Sequence, residues 1–109
     1  MSVHRIRLRE PWRRKLTKEG VRWERKFNRP TGLEGKERVW VVVEHLRGGG
    51  EVRLNGRFLG GITAESGEGR FEITGQLEIH NLLTLLVAGM PTPLPPALPG
   101  AVRLEIIES

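Results

Sequence analysis

Apolar residues along this 109-residue chain recur at every second position, in short runs that stop at glycine, proline or asparagine. Val3–Arg9 sets His4, Ile6 and Leu8 on one side and Arg5, Arg7 and Arg9 on the other, the pattern of a half-buried outer strand that Pro11 stops. Val21, Trp23 and Phe27 share a face with Arg25; an arginine there needs a carboxylate or carbonyl partner, or a flat, packed stem. Arg38–Leu46 is apolar on both faces, with Val39, Val41 and Val43 on one and Trp40, Val42 and Leu46 on the other, so it is expected mid-sheet and covered. Glu51–Asn55 and Arg57–Leu59 form a hairpin about Asn55-Gly56, two residues that tolerate positive φ. Short strands are expected at Arg70–Thr74 and Leu77–Ile79, a second core strand at Asn81–Ala88, and a closing strand at Ala101–Ile107.

Trp12–Gly20 is compatible with a strand end, a turn or a short helix. Loops are expected at Arg29–Lys36, Gly48-Gly49-Gly50, Gly60–Gly69 and Gly89–Gly100, the last with five prolines. Eight or nine strands, with no helix longer than two turns, predict one all-β domain over residues 1–109: a two-sheet antiparallel sandwich.

Composition agrees with a thin, turn-rich core: 38% hydrophobic, 28% charged, with 14 glycines and 7 prolines. The longest apolar run, Leu82 to Met90, is far short of a membrane span, and the basic N-terminus has no apolar segment behind it to make a signal peptide. With no cysteine, disulfides and thiolate metal sites are excluded, and a cytoplasmic location is expected.

The ordered pieces resemble the sugar-binding domain of family 2 glycoside hydrolases, the β-galactosidase and β-glucuronidase group. They are Phe27…Pro30, the Val39–Glu44 strand, Asn55-Gly56 with Gly60, Phe71-x-x-Thr74, Asn81-x-Leu83, and the Pro99–Leu104 return, over residues 21–107. The resemblance implies a galactose-binding-like jelly roll without the catalytic domain. It gives the Asn28–Gly32 segment the place of a loop that lends polar residues to the parent enzymes' active site. The chain departs from the family at Thr63–Gly69, which carries glutamates and no aspartate, and at Met90–Pro99, which is almost wholly proline and apolar. Within the fold, Thr74 is expected to bond a neighbouring backbone group and Asn81 to cap a turn.

No catalytic constellation is visible. The chain has no cysteine and no aspartate, and Ser66 lacks a nucleophile-elbow context. Glu65 and Glu68 lie in a glycine-rich loop that does not hold them across a cleft. His4, His45 and His80 have no metal-ligand spacing, so no metal and no cofactor are expected. The expected role is a non-catalytic, carbohydrate-binding-like or accessory module. Its ligand-binding residues are Asn28, Arg29 and Thr31, with Trp12 as an exposed aromatic platform and Trp23 and Trp40 in the core.

Charge offers an alternative. Residues 1–38 hold 13 Lys/Arg against 5 Glu, and residues 39–109 hold 5 Arg against 8 Glu. Arg5, Arg7 and Arg9, continued by Arg13, Arg14 and Lys15, read as a basic stripe. That stripe is either a solvated face or the patch of a protein- or nucleic-acid-interaction module. A scaffold with no small ligand is the third reading. Expected partners are a glycan, a separate glycosidase or another protein, with weak polyanion binding, no membrane, and a monomeric or weakly oligomeric state.

Overall fold

The computed structural model describes residues 2–89 and 95–108. Its described residues form nine strands in two antiparallel sheets, the sandwich that the alternation predicts. One sheet has four strands in the order β1 (Val3–Arg7), β9 (Ala101–Glu108), β4 (Glu37–Glu44) and β7 (Gly69–Glu72). The other has five: β2 (Arg13–Leu16), β3 (Gly20–Asn28), β8 (His80–Ala88), β5 (Gly50–Leu54) and β6 (Arg57–Ile62).

The core is the set of inward positions. Val39, Val41, Val43 and Leu104 of the four-stranded sheet, and Trp23, Val52, Leu54, Leu83 and Leu85 of the five-stranded sheet, are each no more than 1% exposed. Period-2 burial in β8 and β9 accounts for the choice of inward residues: a one-residue slip would turn every buried apolar side chain of the core to solvent.

β4 is central, as expected, but only its inner face meets the other sheet. Its outer face is covered by charged side chains. Trp40, expected in the core, is half-buried on that outer face with the Arg70 guanidinium 5.4 Å from its ring centroid. The strand reads as apolar on both sides because arginine stems supply the cover there.

Two further expectations are corrected and a third is resolved. Leu77–Ile79 is not a strand: the chain makes a short 3-10 turn at Thr74–Gln76 and stays irregular up to His80. The Asn81 amide bonds both the N–H and the C=O of Glu78, each at 2.9 Å, which folds the segment back. The loop placed at Gly60–Gly69 is shorter, because β6 runs to Ile62 and Gly60 pairs with Val52. Gly60 therefore lies inside a strand; it is glycine because the Phe71 ring lies where a Cβ would be. Trp12–Gly20 resolves into β2 and the turn that joins it to β3.

Other readings hold. Asn55 and Gly56 take φ of 51° and 84° in the β5–β6 turn. The Thr74 hydroxyl accepts the Val39 N–H at 2.8 Å. Arg25 finds carbonyl partners, Arg9 O at 2.7 Å and Lys26 O at 2.9 Å. Of the proline-rich segment, Met90–Leu94 lies outside the described residues.

Candidate functional site

The expected ligand loop follows β3. Asn28, Arg29 and Thr31 are all exposed, but two of them are engaged within the chain. Asn28 Oδ1 lies 3.1 Å from His80 Nδ1. Arg29 donates its N–H to Ile79 O at 2.9 Å and its guanidinium to Leu77 O at 3.5 Å. Beneath them the buried Asn81 ties Phe27 O, Glu78 and the Asn55 amide into one node. The loop is thus anchored from the β8 side, and its outer surface carries Thr31 and the exposed Ile79.

The aromatic platform expected beside it is not there. Trp12 is 7% exposed, sits in the core cluster, and donates its indole N–H to Leu8 O at 3.0 Å. Pro11 turns the chain from one sheet to the other, and that corner places the ring inside rather than on the surface.

The strand registers set the Asn28–Gly32 loop apart from the ends of the two loops at which the chain departs from the family. Asn28 pairs with His80, at the start of β8, whereas β5 begins beside Val87, at its end. The glutamate loop Thr63–Glu68 leaves β6 at that second end and returns beside Val43; the chain re-enters β9 at Ala101, beside Glu44. Asn28–Thr31 and Glu65–Glu68 therefore sit at opposite poles of the sandwich and cannot share one ligand.

The basic stripe is also divided. Arg5 and Arg7 lie on the outer face of the four-stranded sheet, where the Arg5 Nε is 3.5 Å from Glu105. Arg13, Arg14 and Lys15 belong to β2 of the other sheet, with Arg14 donating to Pro95 O. Arg13 and Lys15 continue no row with Arg5, Arg7 and Arg9, because the chain changes sheet at Pro11.

Two features were not singled out from the sequence. The first is Glu105, only 4% exposed although it faces outward. Arg103 Nε bonds it at 2.8 Å and Arg70 Nη1 at 2.9 Å; Arg103 also bonds Glu44. Burial pushes the Glu105 carboxyl up, and the hydrogen bonds from Arg103 and Arg70 outweigh that and hold it below the usual carboxylate range. Alternation along β9 was the available signal, since it makes Glu105 an outward residue between two apolar inward ones.

The second is a trough of about 700 Å³ across the outer face of the five-stranded sheet. The outward residues of β8, Leu82, Thr84 and Leu86, make its floor. Arg22 and Glu24 of β3 form one wall, Glu51 and Arg53 of β5 the other. Beside Arg53, with the guanidinium 5.6 Å from its ring centroid, Phe58 of β6 is 56% exposed. A large ring left in water next to hydrogen-bonding side chains is what the expected platform would look like. The sequence signal was the β8 alternation itself, in which Leu82 and Leu86 fall on the outward set.

Solved structures share this architecture. A β-glucuronidase of Bifidobacterium dentium, complexed with coumarin-3-O-glucuronide, matches with a TM-score of 0.80 at 15% identity, over 99% of this chain and 30% of that one. The fold resembles that of the sugar-binding domain of family 2 glycoside hydrolases. A β-D-glucuronidase of Dictyoglomus thermophilum matches with a TM-score of 0.77 at 11% identity, over 98% of this chain and 28% of that one. A putative β-galactosidase of Bacteroides fragilis matches with a TM-score of 0.59 at 21% identity, over 83% of this chain and 15% of that one. This chain thus spans less than a third of each of these glycosidases and corresponds to a small domain, not to a catalytic one. No family model matches the sequence, and comparison with curated proteins finds no match.

Proposed function

We propose that this chain is a non-catalytic module that binds a glycan along the outer face of its five-stranded sheet. The trough is the observation that carries the reading. A sugar ring presents C–H faces and a fringe of hydroxyls; Leu82, Leu86 and Phe58 offer apolar surface, and Arg22, Glu24, Glu51 and Arg53 offer donors and acceptors. Likeness to a glycosidase domain adds a carbohydrate context, and it does so through fold alone. Asn28, Arg29 and Thr31 form a second, smaller contact region at the pole, reachable by a longer chain.

The non-catalytic part of the proposal rests on openness. The trough runs along an outer sheet face with Glu24 and Glu51 on its walls, whereas glycoside hydrolysis relies on two carboxyl groups whose environments drive their pKa values apart and from which water is excluded. An accessory role beside a separate glycosidase follows from the same fold likeness.

A glycan array followed by titration calorimetry tests the reading. A lone module with one exposed ring should bind its best oligosaccharide with Kd on the order of 0.1–1 mM. Phe58→Ala should abolish the heat signal while leaving the fold intact, because Phe58 stands mostly outside the core. No binding across neutral and acidic glycans would reject the proposal.

A further inference from the structure

A second surface lies where the free edges of the two sheets meet. The β2–β3 turn exchanges backbone hydrogen bonds between Thr17 and Gly20, at 2.8 and 3.3 Å. With the unbroken β3 register, this sets the parity: even-numbered residues of β3 point their N–H and C=O toward β2, odd-numbered ones toward β8. β2 begins at Arg13, opposite Glu24. Lys26 and Asn28 therefore have no strand on that side among the described residues.

The space beside them is a cleft of about 370 Å³ between β3 and the β1 edge. Ile6, Leu8, Phe27 and Leu104 line it with apolar surface, Arg7, Arg25 and Lys26 carry its charge, and no carboxylate lines it among the described residues. Within it the Arg25 guanidinium donates to Lys26 O and to Arg9 O, occupying the position a neighbouring strand's donor would take.

We infer that this edge accepts an extended acidic segment of another polypeptide, added antiparallel to β3 as a continuation of β2. Three observations select that occupant. Lys26 O is already taken by Arg25, but the Lys26 N–H and the Asn28 N–H and C=O face no strand among the described residues and call for peptide backbone, which a saccharide or nucleic acid lacks. The apolar lining calls for alternate apolar side chains, which a polyanion does not supply. The cationic rim excludes a second copy of this edge, because Arg7, Arg25 and Lys26 would face their own counterparts. Residues directly opposite in an antiparallel pair share a face, so the partner residue opposite Lys26 points outward, toward a cation, and turns its own N–H to β3. The occupant therefore alternates acidic outward residues, whose amides pair with β3, and apolar inward ones.

The test is an amide-shift titration of the isotope-labelled chain at physiological salt. The probe is a capped peptide of alternating valine and glutamate. Two derivatives carry N-methyl groups on the valine amides or on the glutamate amides. Shifts confined to Lys26–Arg29 and Ile6–Arg9 are expected. The valine-methylated form should bind like the parent and the glutamate-methylated form should not. Lys26→Glu, at an exposed position, should weaken binding about tenfold, and Arg47→Glu at the opposite pole should not. Equal binding of both methylated forms, shifts elsewhere, or no binding would overturn the inference. Heparin oligosaccharide bound at these residues where the peptide fails would show a polyanion site instead.

Discussion

The side chains of Asn55 and Asn81 are joined by a hydrogen bond of 3.1 Å, from Asn55 Nδ2 to Asn81 Oδ1. Asn55 Oδ1 in turn accepts the Leu82 N–H at 2.8 Å, so the β5–β6 turn is fastened to the start of β8. Asn81 is 3% exposed, and it bonds the half-buried Asn55 side chain, the backbone of Glu78 and the carbonyl of the buried Phe27. Asn81→Leu keeps the volume and leaves the Glu78 backbone and the Asn55 amide short of partners. We expect a loss of about 2–3 kcal/mol in unfolding free energy, read from urea denaturation. An unchanged midpoint would show that water replaces the node without cost.

Glu105 makes stability depend on pH. Its folded pKa lies below the unfolded value because Arg103 and Arg70 favour the carboxylate. The unfolded chain binds the proton more tightly, so the contribution is complete above the unfolded pKa, about 4.3, and is lost as pH falls through the folded value. Wild type should lose melting temperature below about pH 4.5, and Glu105→Gln should flatten that slope. The same slope in both would assign the acid sensitivity to other carboxylates.

Val41 is fully buried in the centre of β4. Val41→Asp places an unpaired charge between the sheets, and the variant should not fold. A soluble variant with the wild-type melting temperature would contradict the placement of β4.

These cases also show what could be read before the structure. Asn81 as a turn cap, Asn55-Gly56 as a turn and Val41 as core all follow from local chemistry, because the deciding partners lie close in sequence or share a strand period. Trp12 and Trp40 were misplaced for a common reason. Whether a ring on a corner or on an outer face is covered depends on distant residues: Leu8 and its neighbours for Trp12, and Arg70 for Trp40. Phe58 is left exposed because β6 falls at the sheet edge, and Leu82 lies on the floor of a trough because β3 and β5 flank β8. Strand order is a long-range property that alternation along one segment does not encode.

The divided arginine stripe predicts weak polyanion binding. Arg5 faces Glu105, and Arg13 and Lys15 belong to another sheet, so few phosphates or sulfates can be met at once. Heparin should bind at low salt and be mostly released near physiological ionic strength, where the screening length is about 8 Å. Tight binding that survives physiological salt and is lost in the triple variant Arg5/Arg7/Arg9→Glu would make polyanion recognition the function.

The central claim is that a glycan lies along the trough of the five-stranded sheet. Amide-shift mapping during titration with the best oligosaccharide from the array tests it directly. The account predicts shifts at Arg22, Glu24, Glu51, Arg53, Phe58 and the Leu82–Leu86 stretch, abolished in Phe58→Ala, with smaller changes at Asn28–Thr31. Shifts confined to Asn28, Arg29 and Thr31, and unaffected by Phe58→Ala, would contradict it.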